Sequence, residues 1–349
     1  ALNHPELETE KVYQPRIRAE DLLREGTGQD TGDFREVAGQ ENAKRGAEIA
    51  AAGFHNLLMI GPPGVGKSMV AGRIPGILPP LTLKESLEVT GIFSVAGLLP
   101  PGQALITRRP FYAPHHTVTQ AALIGGGSGI PRPGMVSLAH RGVLFLDELP
   151  EFRKNVLDGM RQPMEERKVQ IARSAGMVTY PSDFILVAAM NPCPCGYYPD
   201  RNKCRCTQPQ IEKYLGKISG PILDRIDLCV ELHPVDILHL QKTKTEKSSE
   251  DMKRQIRHAR ERQAERFAGT DCRFNGDIRS AQVEEYCPLG EEGQKVMEQL
   301  YRTLQLSARV YHRILKTART IADLEDREEI TGEHLLEAAC YRPSETYWN

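Results

Sequence analysis

The sequence predicts an α/β protein, in which a parallel β-sheet is flanked by helices and followed by a small all-helical domain. Three uninterrupted apolar runs predict buried strands at 56–60, 143–146 and 184–189. Helical segments separate these runs, and apolar strands that alternate with helices indicate a parallel sheet covered on both faces. After about His233 the strand pattern stops, and Met252, Ile256 and Ala259 follow the spacing of a helix face.

Three segments of different character divide the chain. Residues 1–32 contain few periodic apolar positions and are expected to form a lead-in segment. Residues 33–233 are expected to form the α/β domain, and residues 234–349 the helical domain. The polar stretch 241–250 predicts a loop near this boundary, with Ser248 and Ser249 as candidate caps of the next helix.

Composition restricts the classes of function. The chain has 349 residues, and its 45 Lys and Arg balance 46 Asp and Glu, so any nucleic-acid site must be a local basic feature. No run of about 18 uncharged apolar residues is present, and the first residues are too polar for a signal peptide. We therefore expect a cytoplasmic protein without a membrane span.

A glycine-rich loop follows the first predicted strand and precedes a predicted helix. It reads Gly61-Pro62-Pro63-Gly64-Val65-Gly66-Lys67-Ser68 and matches G-x-x-x-x-G-K-[ST]. In this pattern, backbone N–H groups converge on phosphate oxygens, Lys67 reaches the β and γ phosphates, and Ser68 offers a hydroxyl to Mg²⁺. A glycine turn that happens to end in Lys-Ser is the alternative, but the strand, the spacing and the helix together favour an ATP site.

Polar residues end the second and third apolar strands. Asp147 and Glu148 follow 143–146, where carboxylates emerge beside the phosphate loop. We predict that Asp147 holds Mg²⁺ through water and that Glu148 polarises the attacking water. Asn191 follows the third strand and is predicted to lie near the γ-phosphate as a sensor 1 residue, the alternative being a turn cap before Pro192.

Four of the eight cysteines are clustered, namely Cys193, Cys195, Cys204 and Cys206. The pattern C-P-C, eight residues, C-R-C offers four soft ligands, and we predict one structural Zn²⁺. The C-x-C spacing is tighter than the usual C-x₂₋₄-C of zinc sites. Disulfides, which a reducing cytoplasm disfavours, and four unliganded thiols are the alternatives.

Several longer motifs resemble one known family, the ComM/YifB family of magnesium-chelatase-like AAA+ ATPases. The motifs are GPPGVGKS (61–68), ESLEVTGIFSVAG (85–97), PFYAPHHT (110–117), IPRPGMVSLAHRGVLFLDELPEF (130–152), AAMNPCPCGYY (188–198) and SGPILDRID (219–227). The similarity runs from about Asp33 to Tyr341. The family's amino-terminal Lon-protease-like domain has no counterpart in this sequence, so we expect a shortened form.

The resemblance implies a hexameric ring with ATP between subunits. Arg225 matches the family's arginine finger, which reaches the γ-phosphate bound by a neighbour, and Arg309 matches sensor 2. The alternative for Arg225 is a salt bridge within the domain, to Asp224 or Asp227. The alternative for Arg309 is a solvated helix residue.

Two segments resemble insertions of the chelatase branch of AAA+ proteins. Residues 90–107 resemble the loop inserted in the second helix, and residues 168–181 resemble the hairpin before sensor 1. Alternating apolar residues on both sides of Gly176 also predict this hairpin. Four basic residues in or beside these segments are candidate contacts for a phosphate backbone or else solvated charges, namely Arg108, Arg109, Lys168 and Arg173.

Two functions follow from the resemblance. The first is an ATP-driven DNA motor, a helicase that promotes branch migration during natural transformation, with ATP, Mg²⁺ and Zn²⁺ as ligands and DNA and a homo-hexamer as partners. The second is an ATPase that remodels a protein partner, as the chelatase motor subunit does. The cysteine cluster favours the first function, because the resemblance to chelatase motor subunits does not extend through it.

Overall fold

The computed structural model describes residues 32–127, 131–173, 176–235, 247–342 and 347. The predicted lead-in, apart from its last residue, and most of the predicted loop at 241–250 lie outside these residues. The strands are β1 (Leu57–Ile60), β2 (Phe111–Tyr112), β3 (Gly125–Gly126), β4 (Arg132–Pro133), β5 (Val143–Leu146), β6 (Lys168–Arg173), β7 (Gly176–Pro181), β8 (Ile185–Met190) and β9 (Leu228–Glu231).

The α-helices of the described residues surround the strands and fill the C-terminal part. They are α1 (Glu41–Gly53), α2 (Lys67–Ile77), α3 (Leu83–Ala96), α4 (Gln120–Ile124), α5 (Met135–Leu138), α6 (Lys154–Gly159), α7 (Arg161–Glu166), α8 (Gln208–Leu215), α9 (Gly220–Leu223), α10 (Ser249–Arg266), α11 (Val283–Tyr286), α12 (Glu291–Thr303), α13 (Ala308–Leu324) and α14 (Gly332–Cys340). In the part of the chain that the structure covers, no helix has the length and apolar character needed to cross a membrane.

Five parallel strands form the central sheet, in the order β2-β5-β8-β1-β9. All residues of β1, β5 and β8 are buried, as their uninterrupted apolar sequences require. The predicted α/β class is therefore confirmed, and the three predicted strands agree with the structure to within one residue. The sequence analysis did not identify β2 and β9, because two and four residues are too short to show a period.

Two hydrophobic cores cover the two faces of the sheet. On one face α1 and α2 pack together with α10 and α13 of the C-terminal part, through residues such as Ile49, Ile74, Ile256 and Ile321. The other core contains α6, α8, the hairpin and two of the clustered cysteines. The C-terminal helices thus share a core with the sheet, and hydrogen bonds such as Arg260 Nη2 to the Ala51 carbonyl (2.6 Å) join the two parts.

The predicted hairpin is present as β6 and β7, with six cross-strand pairs from Lys168–Pro181 to Arg173–Gly176. Gly176, which was expected to supply the turn, is the first residue of β7, and residues 174 and 175 lie outside the described residues. Val169 and Tyr180 are buried, and the Tyr180 hydroxyl donates to the Pro131 carbonyl at 2.6 Å. One face of the hairpin is therefore anchored in the core while its end reaches solvent, where Met177 is 69% exposed.

The other predicted insertion differs from expectation. A loop was predicted over 90–107, but α3 continues to Ala96 and ends at Gly97, whose φ of +72° gives the helix a left-handed cap. Thr82 and Glu85 form a capping box at its start. The loop proper therefore begins at Gly97, because the apolar and helix-compatible residues before it extend the helix.

Buried ion pairs lie at the amino edge of the sheet, which is the edge where the parallel strands begin. Asp183, 3% exposed and just before β8, pairs with Arg141 (2.6 Å), with Arg167 (3.5 Å) and with Arg273 of the C-terminal part. Arg167 in turn pairs with Asp277. These contacts tie the base of the hairpin to the segment between α10 and α11 in the C-terminal part.

Arg109 is neither a solvated charge nor exposed toward a phosphate backbone in the structure, so neither alternative given for it is correct. Its guanidinium donates to the carbonyl groups of Pro79 and Arg141 and lies 3.2 Å from the Glu85 carboxylate. The Arg109 side chain is only 11% exposed, and its contacts join the segment before β2 to the three residues just named. Arg108 and Lys168 are exposed, and the side chain of Arg173 lies outside the described part.

Candidate functional site: a nucleotide cleft at the carboxyl edge of the sheet

The phosphate loop (61–68) connects β1 to α2 at the carboxyl edge of the sheet. Gly64 and Gly66 have φ of +79° and +93°, and a Cβ at either position would meet no neighbouring atom. The backbone is thus left-handed there and faces open space, a conformation that glycine adopts readily. Gly66 caps α2 without a side-chain hydrogen bond, so the first N–H groups of the helix are available to an anion.

Lys67 is folded back onto the loop. Its Nζ donates to the carbonyl groups of Gly61 (2.7 Å) and Pro62 (2.9 Å) and to Asn191 Oδ1 (3.0 Å). Burial lowers the pKa of Lys67, and the carboxylates of Asp147 and Glu148 oppose this effect. A polyanion in the cleft would give this buried ammonium group a stronger partner than the loop carbonyls.

Ser68 and Asp147 meet at the mouth of the cleft. The Ser68 hydroxyl donates to Asp147 Oδ2 at 2.9 Å, and Asp147 Oδ1 accepts from the Glu148 amide at 2.9 Å. A hydroxyl and a carboxylate are hard oxygen ligands of the kind that Mg²⁺ takes beside phosphates. The donor set therefore fits the predicted magnesium site.

Glu148 has an unusual backbone and a partner that the sequence analysis missed. Its φ of +52° is uncommon for a residue other than glycine, and its side chain is 55% exposed. His116 Nδ1 lies 3.2 Å from Glu148 Oε2, and the His116 ring also contacts Phe152. The signal available in the sequence was the place of His116 in the motif PFYAPHHT, four residues after the aromatic pair that forms β2.

Asn191 lies where the sequence placed it, just after β8. It accepts from Lys67, so the ends of three neighbouring strands bring Lys67, Asp147 and Asn191 together. Parallel strands force this arrangement, because their carboxyl ends share one edge.

The four clustered cysteines lie together in the loop that follows Asn191. Their sulfur atoms all lie within 4.8 Å of one another, with separations of 3.3, 3.6 and 3.7 Å for three of the pairs. Zn–S bonds of about 2.3 Å place the sulfurs of a regular tetrahedron about 3.8 Å apart. The four thiols are free of disulfides, so the donor set fits one zinc ion.

The cysteine loop, residues 191–206, touches the phosphate loop directly. Gly196 has φ of +86°, and a Cβ there would lie 2.5 Å from Pro63 Cδ. Gly196 is therefore required both by its conformation and by this close approach. The cysteine loop supports the outer side of the phosphate loop.

Arg225 and Arg309 lie far from this cleft. The Arg225 carbonyl accepts from Asn56 Nδ2 (2.7 Å), and Asn56 directly precedes β1, so Arg225 is at the amino edge of the sheet. Arg309 pairs with Asp224, next to Arg225. A four-residue strand alone spans about 13 Å. Both guanidinium groups therefore lie at the opposite edge of the sheet from the phosphate loop of the same chain.

Fold and cleft together define a P-loop ATPase of the AAA+ class, with a helical C-terminal part. Residues 33–240 match the family described as "Magnesium chelatase, subunit ChlI", and residues 246–342 match "Magnesium chelatase, subunit ChlI C-terminal". The chain belongs to this magnesium chelatase ChlI family. Membership of the family supports ATP hydrolysis as the general activity.

Relatives of known sequence agree with this assignment. The chain is 46% identical over 314 residues to "Uncharacterized protein YifB" of Salmonella typhimurium, which covers 89% of the chain and 60% of the relative. It is 43% identical over 322 residues to "Competence protein ComM" of Haemophilus influenzae, covering 90% of the chain and 61% of the relative. A magnesium-chelatase 67 kDa subunit of Chlorobaculum parvum is 25% identical over 241 residues, 63% of this chain and 34% of the relative. The resemblance to the ComM/YifB family is thereby confirmed, and the chain spans about 60% of the length of these first two relatives.

We expect Gly196→Ala to weaken nucleotide binding, because the new methyl group overlaps Pro63 and shifts the phosphate loop. Gly269→Ala is the matched control, since Gly269 also has a positive φ (+77°) but has no atom within 4 Å of a Cβ. Both variants carry the backbone cost of about 1 kcal/mol, and titration with a fluorescent ATP analogue separates them. Equal affinities of the two variants would contradict a supporting role of the cysteine loop.

Proposed function

We propose that the protein is a hexameric, ATP-driven DNA motor, a helicase that promotes branch migration when incoming single strands recombine during natural transformation. The proposal rests on the positions of the ATP-site groups, which lie at opposite edges of the sheet. Lys67, Asp147 and Asn191 lie at the carboxyl edge, whereas Arg225 lies at the amino edge. Head-to-tail contacts between identical subunits close a ring and would place the amino edge of one subunit against the cleft of the next.

Each group in the cleft has a role in phosphoryl transfer. The phosphate-loop amides and Lys67 would bind the β and γ phosphates, and Mg²⁺ held by Ser68 and Asp147 would neutralise charge on them. Glu148 would polarise the attacking water, and Asn191 would orient it near the γ-phosphate. Arg225 of a neighbouring subunit, with Arg309 beside it, would stabilise the charge that develops in the transition state.

The DNA component rests on the hairpin and on one relative. The hairpin has a solvent-exposed end and the exposed Lys168 at its base, and Arg108 is exposed in the loop after α3. Exposed basic side chains in these two segments suit contacts to a phosphate backbone. The name "competence protein" of the Haemophilus relative points to the same class of substrate.

The alternative is an ATPase that remodels a protein partner, in the manner of a chelatase motor. The match to the ChlI family supports it at the level of the ATPase core. A DNA-independent ATPase would favour this alternative.

DNA is expected to stimulate ATP hydrolysis by the purified protein, because a translocating motor couples turnover to its track. Steady-state phosphate release, measured with forked DNA, with single-stranded DNA and without DNA, tests this. Lys67→Ala is the background control and should lose nucleotide binding altogether. If no DNA changes either the rate or the oligomeric state, the DNA-motor function is wrong.

Arg225→Ala and Glu148→Gln should each abolish hydrolysis while retaining ATP affinity, with a loss of about 10³–10⁵ in rate for the arginine. Mixing the two inactive chains in equal amounts should restore activity, since about a quarter of the interfaces then pair an intact Arg225 with an intact Glu148. Absence of activity at every mixing ratio would show that Arg225 does not act between subunits.

We further propose that Cys193, Cys195, Cys204 and Cys206 bind one structural Zn²⁺. Four thiolates close the coordination sphere and leave no position for water, so the ion would stabilise the loop without taking part in hydrolysis. The site would also fix the cysteine loop against Pro63 and thereby the phosphate loop.

Protein purified without added metal should contain about one zinc per chain by elemental analysis. Cys204→Ser should lower the zinc content and the affinity for nucleotide together, whereas Cys340→Ser, at an exposed cysteine outside the cluster, should change neither. Freely titratable thiols at all four positions of the native wild-type protein would refute the metal site.

A further inference from the structure

Arg225 is held in place by a residue at the foot of the hairpin. Its Nη2 lies 2.7 Å from Glu165 Oε2, and its Nη1 donates to the Pro221 carbonyl at 2.6 Å. Both ends of the guanidinium group are engaged, and the side chain is only 19% exposed. An arginine that must reach a phosphate on a neighbouring subunit has to exchange these partners for phosphate oxygens.

Glu165 lies at the base of the hairpin. It occupies the last turn of α7, and only Glu166 and Arg167 separate it from β6. The Ser182 amide donates to the Arg167 carbonyl at 2.8 Å, which closes the base of the hairpin across the two strands. Only two residues therefore separate the hairpin from the residue whose carboxylate holds Arg225.

The surroundings of this ion pair differ from those of its neighbours. Arg167 pairs with Asp183 and Asp277, whose side chains are only 5% and 7% exposed, so its ion pairs are shielded from water. Glu165 is 65% exposed. Water screens such a pair, which makes it weak enough to break and re-form during turnover.

We propose that Glu165 is a latch that restrains Arg225 until the hairpin moves. This inference rests on the proposed function, in which Arg225 acts on the ATP of a neighbour and the hairpin contacts DNA. In the resting protein the Glu165 carboxylate competes with the γ-phosphate for the guanidinium group. Displacement of the hairpin by DNA draws Glu165 away and releases Arg225, so that binding of DNA to one subunit activates the site of the next. Glu165 is thus a positioning residue that acts through Arg225.

The test compares ATP hydrolysis by Glu165→Gln with that of the wild-type full chain, without and with forked DNA. Loss of the carboxylate should raise the DNA-free rate about two- to fivefold, which is the factor that an exposed ion pair of this kind is worth. The rate at saturating DNA should stay unchanged, because DNA has already released Arg225 there. Stimulation by DNA should fall by the same factor.

Three further variants identify the cause of the change. Glu166→Gln removes the neighbouring carboxylate, which is 46% exposed and 3.9 Å from Lys168 Nζ, and should leave the DNA-free rate unchanged. Glu165→Asp keeps a carboxylate and should hold the rate close to that of the wild type. The double variant Glu165→Gln/Arg225→Ala should be as inactive as Arg225→Ala, which shows that the raised rate still requires the arginine.

A DNA-free rate of Glu165→Gln equal to that of the wild type overturns the latch, and so does a lower rate, which would show that Glu165 assists catalysis. Failure of the proposed function has a different signature. In that case the wild-type rate does not respond to DNA, or Arg225→Ala retains full activity. A DNA-free rise in Glu165→Gln that is absent from Glu165→Asp and Glu166→Gln still supports the restraint of Arg225 when the DNA response is absent.

Discussion

The parallel direction of five hydrogen-bonded strands is the constraint on which the nucleotide cleft depends. Because β1, β5 and β8 run the same way, the residues that follow them meet at one edge, and Lys67, Asp147 and Asn191 come within hydrogen-bonding reach of a common space. The same constraint sends every residue that precedes a strand to the opposite edge. Arg225 precedes β9, so it lies at the edge away from the cleft of its own chain, and this separation supports the proposed ring.

The sequence alone predicted those strands and functional residues whose signal lies within one short segment. Uninterrupted apolar runs identified β1, β5 and β8, and the phosphate-loop spacing identified the cleft, because each signal lies within one short segment. The short strands β2 and β9 carry no period, and their places depend on pairing with distant residues. His116 and Glu165 were missed for a related reason. Their importance comes from single side-chain contacts with Glu148 and Arg225, and nothing in the sequence encodes the distance between such residues.

Two basic residues show that burial decides whether an arginine is available to a ligand. Arg109 and Arg108 are adjacent and looked equivalent as candidate phosphate contacts. Arg109 turns inward to two carbonyl groups and Glu85, while Arg108 remains exposed. Two adjacent arginines cannot be told apart in the sequence. Only the fold shows which guanidinium group is structural and which one is available to a ligand.

The amino edge of the sheet combines two kinds of ion pair with different physical properties. Around Asp183, whose side chain is 5% exposed, three arginines share one buried carboxylate, and these pairs join the hairpin base to the C-terminal part. The Glu165–Arg225 pair is screened by water and contributes about 0–1 kcal/mol, so exchange for a phosphate is easy. The proposed latch uses this difference. The buried pairs fix the position of the hairpin base, and the water-exposed Glu165 carboxylate makes its pair with Arg225 the contact that can break.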